Sequence, residues 1–107
     1  MNKKGIYSLL GLAMKAGKVA SGEFSVEKSV KSGHSYFVII AEDASDNTKK
    51  MFDNMCQYYQ VPLGYFGTKD ELGQCIGKRF RASLAIEDEG FANSIMKKLG
   101  TNGNMEV

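Results

Sequence analysis

The stretch 19-VASGEFSVEKSVKSGHSYFVIIAEDAS-45 decides the fold of this chain. Val19-Ala20 reads as a short strand, Ser21-Gly22 as a turn, and the segment up to Gly33 as a helix. Tyr36 to Ala41 is an unbroken apolar, β-rich run that ends in the acids Glu42 and Asp43. A strand apolar at every position is buried on both faces, so helices must cover both sides of its sheet. The Ser21-Gly22 joint sends the chain from strand into helix. It therefore aims a helix N-terminus, with unpaired N–H groups, out of the sheet edge. Such an end attracts anions, phosphate among them, and Lys18, Lys28 and Lys31 favour the same guest.

Outward from this stretch, helices and short strands keep alternating. Ile6, Leu9, Leu10 and Ala13 recur with helical spacing, which predicts a first helix over about residues 4–16 that Gly17 stops. In the second helix Val26 and Val30 share a face. Ser45, Asp46 and Asn47 are candidate caps for a third, where Thr48, Met51, Phe52, Met55 and Tyr59 form one stripe, read as core. Pro62 ends that region, and Leu63 to Phe66 suits an edge strand. Thr68-Lys69-Asp70-Glu71 is a capping box that opens a short fourth helix. Ile76 to Phe80 reads as an exposed loop, and Ala82 to Ile86 as a second buried strand. Asp88 caps a last helix bearing Phe91, Ile95 and Leu99, and Gly100 stops it. The pattern predicts a three-layer α/β/α sandwich around a small mixed sheet of about four strands. One domain is expected over residues 1–100, with a frayed tail over 101–107.

A chain of 107 residues has room for one core and needs neither disulfide nor metal to hold together. Cys56 and Cys75 stand far apart without zinc-site spacing, His34 is the single histidine, and both thiols read as packing residues of a reducing cytosol. No stretch approaches the roughly 20 apolar residues of a membrane span, and the N-terminus reads as an amphipathic helix rather than a signal peptide. The net charge of +2 is unevenly placed: residues 1–34 carry +4, residues 35–76 carry −3, and residues 77–107 carry +1 with Lys78, Arg79 and Arg81 bunched together. Two basic segments that converge in space would make a polyanion site, although ordinary surface charge gives the same numbers.

Enzyme chemistry finds little support. In GLAMKAGKV the glycines Gly11 and Gly17 are one residue too far apart for a phosphate loop, and Val19 stands where a hydroxyl should hold Mg²⁺. Glu42-Asp43 lacks the partner acids a receiver domain places after its first strand; these two acids read as strand-end residues that help turn the chain into the third helix. A Ser–His or Cys–His nucleophile would depend on His34, which follows Gly33 in a turn. No dinucleotide fingerprint is present, and no cofactor is expected.

The segments LLGLAMKAGKVASGE, VIIAEDAS, NTKKMFDNMCQYYQVP and LGQCIGK, with the Gly22-to-Gly33 spacing, resemble the kink-turn-binding ribosomal proteins, the L7Ae family with its L30e relatives. Within that family the chain looks most like the small bacterial YlxQ-like branch, and the likeness covers about residues 4–99. The resemblance implies an α/β/α sandwich and a non-enzymatic, ribosome-associated RNA-binding protein of the cytoplasm. The implied partners are structured RNA, ribosomal or kink-turn-like, and ribosomal proteins, with no membrane role and a monomeric state. In the family the helix-opening joint reads Gly-x-Asn-Glu with a lysine further on, and enters a kink-turn beside its sheared G·A pairs. A second, apolar loop packs on a base thrown out of the stack. Gly22 and Lys28 match the joint's glycine and lysine; Ile76 and Gly77 match the apolar loop, with Lys78 and Arg79 beside it. Glu42 and Asp43 match the acids of the family's Ala-Glu-Asp. The implied RNA-binding set is Gly22, Glu23, Phe24, Ser25, Lys28, Lys31, Ile76, Gly77, Lys78 and Arg79.

Phe24-Ser25 departs from that pattern, standing where the family has Asn-Glu. A phenyl ring cannot make an amide's hydrogen bonds, and a lost charge-assisted bond costs about 1.5–3 kcal/mol. Phe24 either stacks on a splayed base, worth about 1–3 kcal/mol, or turns inward and staples the second helix to the core. The alternative function is a protein-interaction module on the same fold that has lost kink-turn recognition.

Overall fold

In the computed structural model, which describes residues 3–100, the alternating pattern folds as α1 (Lys3–Lys15), β1 (Val19–Ser21), α2 (Glu23–Lys31), β2 (Phe37–Ile40), α3 (Asp46–Tyr59), β3 (Leu63–Tyr65), α4 (Lys69–Cys75), β4 (Ser83–Ile86) and α5 (Glu89–Leu99). The tail expected to fray, residues 101–107, lies outside the described residues. The strands form one mixed sheet in the order β1-β4-β2-β3. β4 runs antiparallel to both β1 and β2, whereas β3 joins β2 in parallel. Both central strands, β2 and β4, are buried at every position, as their continuous apolar runs require. α1, α4 and α5 cover one face, and α2 packs with α3 on the other. This is the expected α/β/α sandwich, with the Pro62-led β3 at the sheet edge.

The core follows from which side chains each stripe turns inward. Ile6, Leu10 and Ala13 of α1, Val26 and Val30 of α2, Ile95 of α5 and Phe37, Ile39, Leu84 and Ile86 of the sheet are all buried. Each fully buried aliphatic or aromatic side chain contributes about 1.5–3 kcal/mol relative to exposure. In α3 the stripe is narrower than its spacing predicts. Phe52 and Cys56 form its centre, Met51 and Met55 flank them half-buried, and Tyr59 is exposed beside Tyr58 in an edge-to-face pair at 4.8 Å. Burial pushes the Cys56 and Cys75 thiols up to about 11, so both stay protonated at neutral pH and act as packing groups.

Helix ends are closed as the sequence proposes. Ser45, Thr68 and Asp88 cap α3, α4 and α5, and Thr68 forms the full capping box with Glu71. Glu42 and Asp43 form the turn that leads from β2 toward α3, closed by the Ala44 N–H on the Ala41 carbonyl at 3.1 Å. They also reach across the fold: the Asp43 carboxylate accepts from the Lys69 N–H at 2.8 Å, and the Glu42 N–H donates to the Gly67 carbonyl at 2.7 Å. These acids tie the end of β2 to the start of α4.

Two contacts hold α4 and the loop behind it. The Tyr7 hydroxyl donates to Glu71 Oε1 at 2.7 Å, and the Thr68 N–H donates to the same oxygen at 3.1 Å. Tyr7 and then Thr68 thereby hold the Glu71 carboxyl below the usual carboxylate range. At Gly73 the chain after α4 doubles back so closely that a Cβ would stand 1.4 Å from the Arg79 carbonyl oxygen. The Lys78 N–H closes this turn on the Gly73 carbonyl at 2.8 Å.

Gly73→Ala should cost about 1–3 kcal/mol by overpacking and shift the amide resonances of residues 77–81, both measurable by denaturation and NMR. For Glu71 the sign follows from a depressed folded pKa: its stabilisation is present above the ordinary carboxylate range and is lost as pH falls through the folded value. Melting temperatures of the native chain and Glu71→Gln should therefore differ at pH 7 and converge in strong acid. A gap that stays constant across this range would contradict the assignment.

Candidate nucleic-acid interface

The register of the sheet builds the site. Ser21 pairs with Leu84, and the Gly22 N–H donates to the Ser83 carbonyl at 3.1 Å, so the joint before α2 lies against the start of β4. Residues 77–82 lead directly into β4. The two segments read separately in the sequence are therefore neighbours at one end of the sheet. Arg81 fastens them. Its Nε donates to Ser21 Oγ at 3.2 Å, its Nη1 to the Phe80 carbonyl at 2.8 Å, and its backbone N–H to the Lys69 carbonyl at 3.0 Å. The sequence shows Arg81 only as one of three bunched cations; its reach to Ser21 depends on strand pairing between residues 60 positions apart.

Gly22 takes φ 91 and ψ 156, a conformation that a side chain strongly disfavours. A glycine also offers no capping side chain, unlike Ser45, Thr68 and Asp88, and none bonds to the first turn of α2. Val26 is the residue whose N–H bonds back to Gly22, at 2.9 Å, which leaves the preceding turn of amides facing outward. Around that end Glu23, Phe24 and Ser25 are all exposed. Phe24 is 79% exposed, so it does not staple α2 to the core; Val26 and Val30 fill the inward face.

The remaining predicted residues divide. Lys28 is exposed on α2, about 8 Å along the axis from Glu23. Lys31 lies at the other end of that helix, roughly 12 Å along it, in an ion pair with Glu27 at 2.7 Å. Lys18 precedes β1, whereas the joint follows it, so it stands at the opposite end of the sheet. Neither is close to the joint. In the second loop Gly77 turns the chain at φ 74, and Lys78 and Arg79 are exposed. Ile76 departs from the expected exposed loop: it is 6% exposed at the C-terminal cap of α4 and belongs to the same core cluster as Leu72. The apolar side chain that this loop presents to solvent is Phe80, 68% exposed. Nothing in the local pattern marks which of Ile76 and Phe80 points inward.

This end of the molecule thus offers outward N–H groups, exposed cations and two exposed phenyl rings, a set that fits phosphates and flat bases. Among the described residues no group of histidine, cysteine and carboxylate side chains is placed to hold a metal. His34 sits in the turn after α2, its Nδ1 2.7 Å from Ser32 Oγ, away from this site.

Comparison with known proteins shows the family of the chain. The family model described as "Ribosomal protein L7Ae/L30e/S12e/Gadd45 family" matches residues 4–96. The RNA-binding protein YlxQ of Bacillus subtilis is 42% identical over 93 residues, which covers 87% of this chain and 93% of that one. The large ribosomal subunit protein eL8 of Picrophilus torridus is 32% identical over 98 residues, covering 91% of this chain and 77% of that protein. A solved structure from Bacillus halodurans, described as a protein with unknown function, superposes with a TM-score of 0.86 at 36% identity, covering 89% of this chain and 96% of that one. By these matches and its fold, the chain belongs to the ribosomal protein L7Ae/L30e/S12e/Gadd45 family, in its YlxQ-like branch.

Proposed function

We propose that this chain is a non-enzymatic RNA-binding protein that recognises kink-turn-like structured RNA and associates with the ribosome in the cytoplasm. It acts as a single domain over residues 1–100 and as a monomer, with ribosomal RNA as target and ribosomal proteins as neighbours. The observation that carries this reading is the clamp of Arg81 on Ser21, which sets the uncapped start of α2 beside the basic loop before β4. The relatives from Bacillus subtilis and Picrophilus torridus, an RNA-binding protein and a large ribosomal subunit protein, support it.

In this mode Gly22 lets the RNA backbone approach the α2 amides, and Lys28 adds charge at the phosphate. Glu23 and Ser25 offer acceptors to guanine edges, which are read where base pairs are distorted. Phe24 replaces the missing amide contact by stacking, worth about 1–3 kcal/mol per base. That gain is comparable to the about 1.5–3 kcal/mol lost with a charge-assisted hydrogen bond, so affinity survives while selectivity for guanine edges falls. At the second loop Phe80 makes the apolar contact, Gly77, Lys78 and Arg79 frame it, and Ile76 supports the loop from the core. Lys31 acts only at long range.

A gel-shift titration tests the core of this reading. A kink-turn should bind at least tenfold more tightly than the same duplex with its G·A pairs replaced by Watson–Crick pairs. Equal or absent binding to both would leave the protein-interaction alternative. Lys28→Ala should reduce the salt slope of log K by about one, whereas an unchanged slope removes Lys28 from the phosphate contacts. Phe24→Ala should weaken binding by about 1–3 kcal/mol, and Phe24→Asn with Ser25→Glu should restore affinity while sharpening the preference for G·A pairs.

A further inference from the structure

The outer face of α1 lies outside that RNA reading and carries a site of its own. A groove of about 780 Å³ runs along it to the C-terminal end of α4. Its floor is kept low by small residues, Ser8 and Gly11, and a Cβ on Gly11 would stand 3.1 Å from the Cys75 carbonyl. Leu12 borders the groove and is 55% exposed, on the side of α1 that turns away from the core. Among the described residues, the charged ones that line it are Lys3, Lys4 and Lys15, all exposed, and none is a carboxylate. Glu71, the nearest acid from α4, is taken up by Tyr7 and Thr68.

We propose that this groove docks an acidic amphipathic helix of a partner protein. The charge is complementary: one face of α1 presents lysines near both of its ends, with exposed Leu12 and the low floor of Ser8 and Gly11 between them, the counterpart of a helix whose leucines are flanked by glutamate or aspartate. A glycine floor lets a second helix approach closely. RNA fits this surface less well. The one aromatic residue of the groove, Tyr7, is held by its hydroxyl on Glu71 and its ring against Phe66 at 5.0 Å, so it is fixed by the fold rather than set out on a free loop for a base. The proposal is independent of the RNA site, which is built from the α2 joint and the loop before β4.

The test uses the full chain, labelled for NMR, and a synthetic helix of about four turns with leucines at i, i+4 and i+7 between glutamates; a matched peptide carries lysines instead. The acidic peptide should shift the amides of Tyr7, Ser8, Gly11, Leu12 and Cys75, and added salt should weaken it. Leu12→Ala and the double change Lys3→Glu with Lys15→Glu alter exposed positions, which circular dichroism can verify as folded. Each should weaken peptide binding about tenfold, the equivalent of about 1.4 kcal/mol, and leave kink-turn affinity unchanged. The proposal is overturned if those amides do not move, if the lysine peptide binds as well, or if the charge reversal reduces RNA affinity without touching the peptide.

Discussion

The antiparallel pairing of β1 with β4 is the constraint on which the rest of the site depends. It is a short pairing, Val19–Ser21 against Leu84–Ile86, yet it fixes where the chain leaves the sheet to begin α2. Because side chains alternate along a strand, a slip of one residue would exchange the faces of the pair and move Ser21 out of reach of Arg81. The Gly22 N–H on the Ser83 carbonyl adds one more rung beyond the strand and locks the joint in place. Loop geometry at this end is therefore inherited from the sheet, which is its most buried and least deformable part.

The second loop is held by a different kind of force. Close packing at Gly73 brings the Arg79 backbone onto α4, and buried Ile76 anchors the turn from below. What remains exposed is Lys78, Arg79 and Phe80, three side chains set on a rigid support. A surface contact group costs less entropy to order when its backbone is already fixed. The same logic covers α2, where Val26 and Val30 pin one face and leave the first turn outward.

Much of this architecture was legible in the sequence because the signals were periodic or local. The run at Tyr36–Ala41 had one reading, a strand buried on both faces, and from it the layers followed. Thr68-to-Glu71 fixed a helix start by its own chemistry. The misses share a physical origin in long-range contact. Asp43 turns the chain toward the next helix as its place in the sequence suggests, but its side-chain partner, the Lys69 amide, is one that only strand order brings close. Ile76 and Phe80 are both large and apolar, four residues apart, and only the close return over Gly73 decides which one is buried. Lys18 and Lys31 stand close to the joint in sequence, but a strand and a helix carry them away from it.

Phe24 shows how exposure and fold separate. The two residues that α2 needs inside are Val26 and Val30, and a polar residue at position 24 would satisfy the helix equally well. Scattered exposed hydrophobic residues are ordinary, so one phenyl ring at 79% exposure argues little alone. Its setting argues more. It stands on the first turn of a helix that no side chain caps, and Arg81 draws the Phe80 loop to the same joint. Phe24 and Phe80 are both exposed, and neither belongs to the hydrophobic core cluster. Their common position gives the proposed stacking mode its physical content: the joint supplies charge and approach, and the rings supply the contact that the missing amide would otherwise have made.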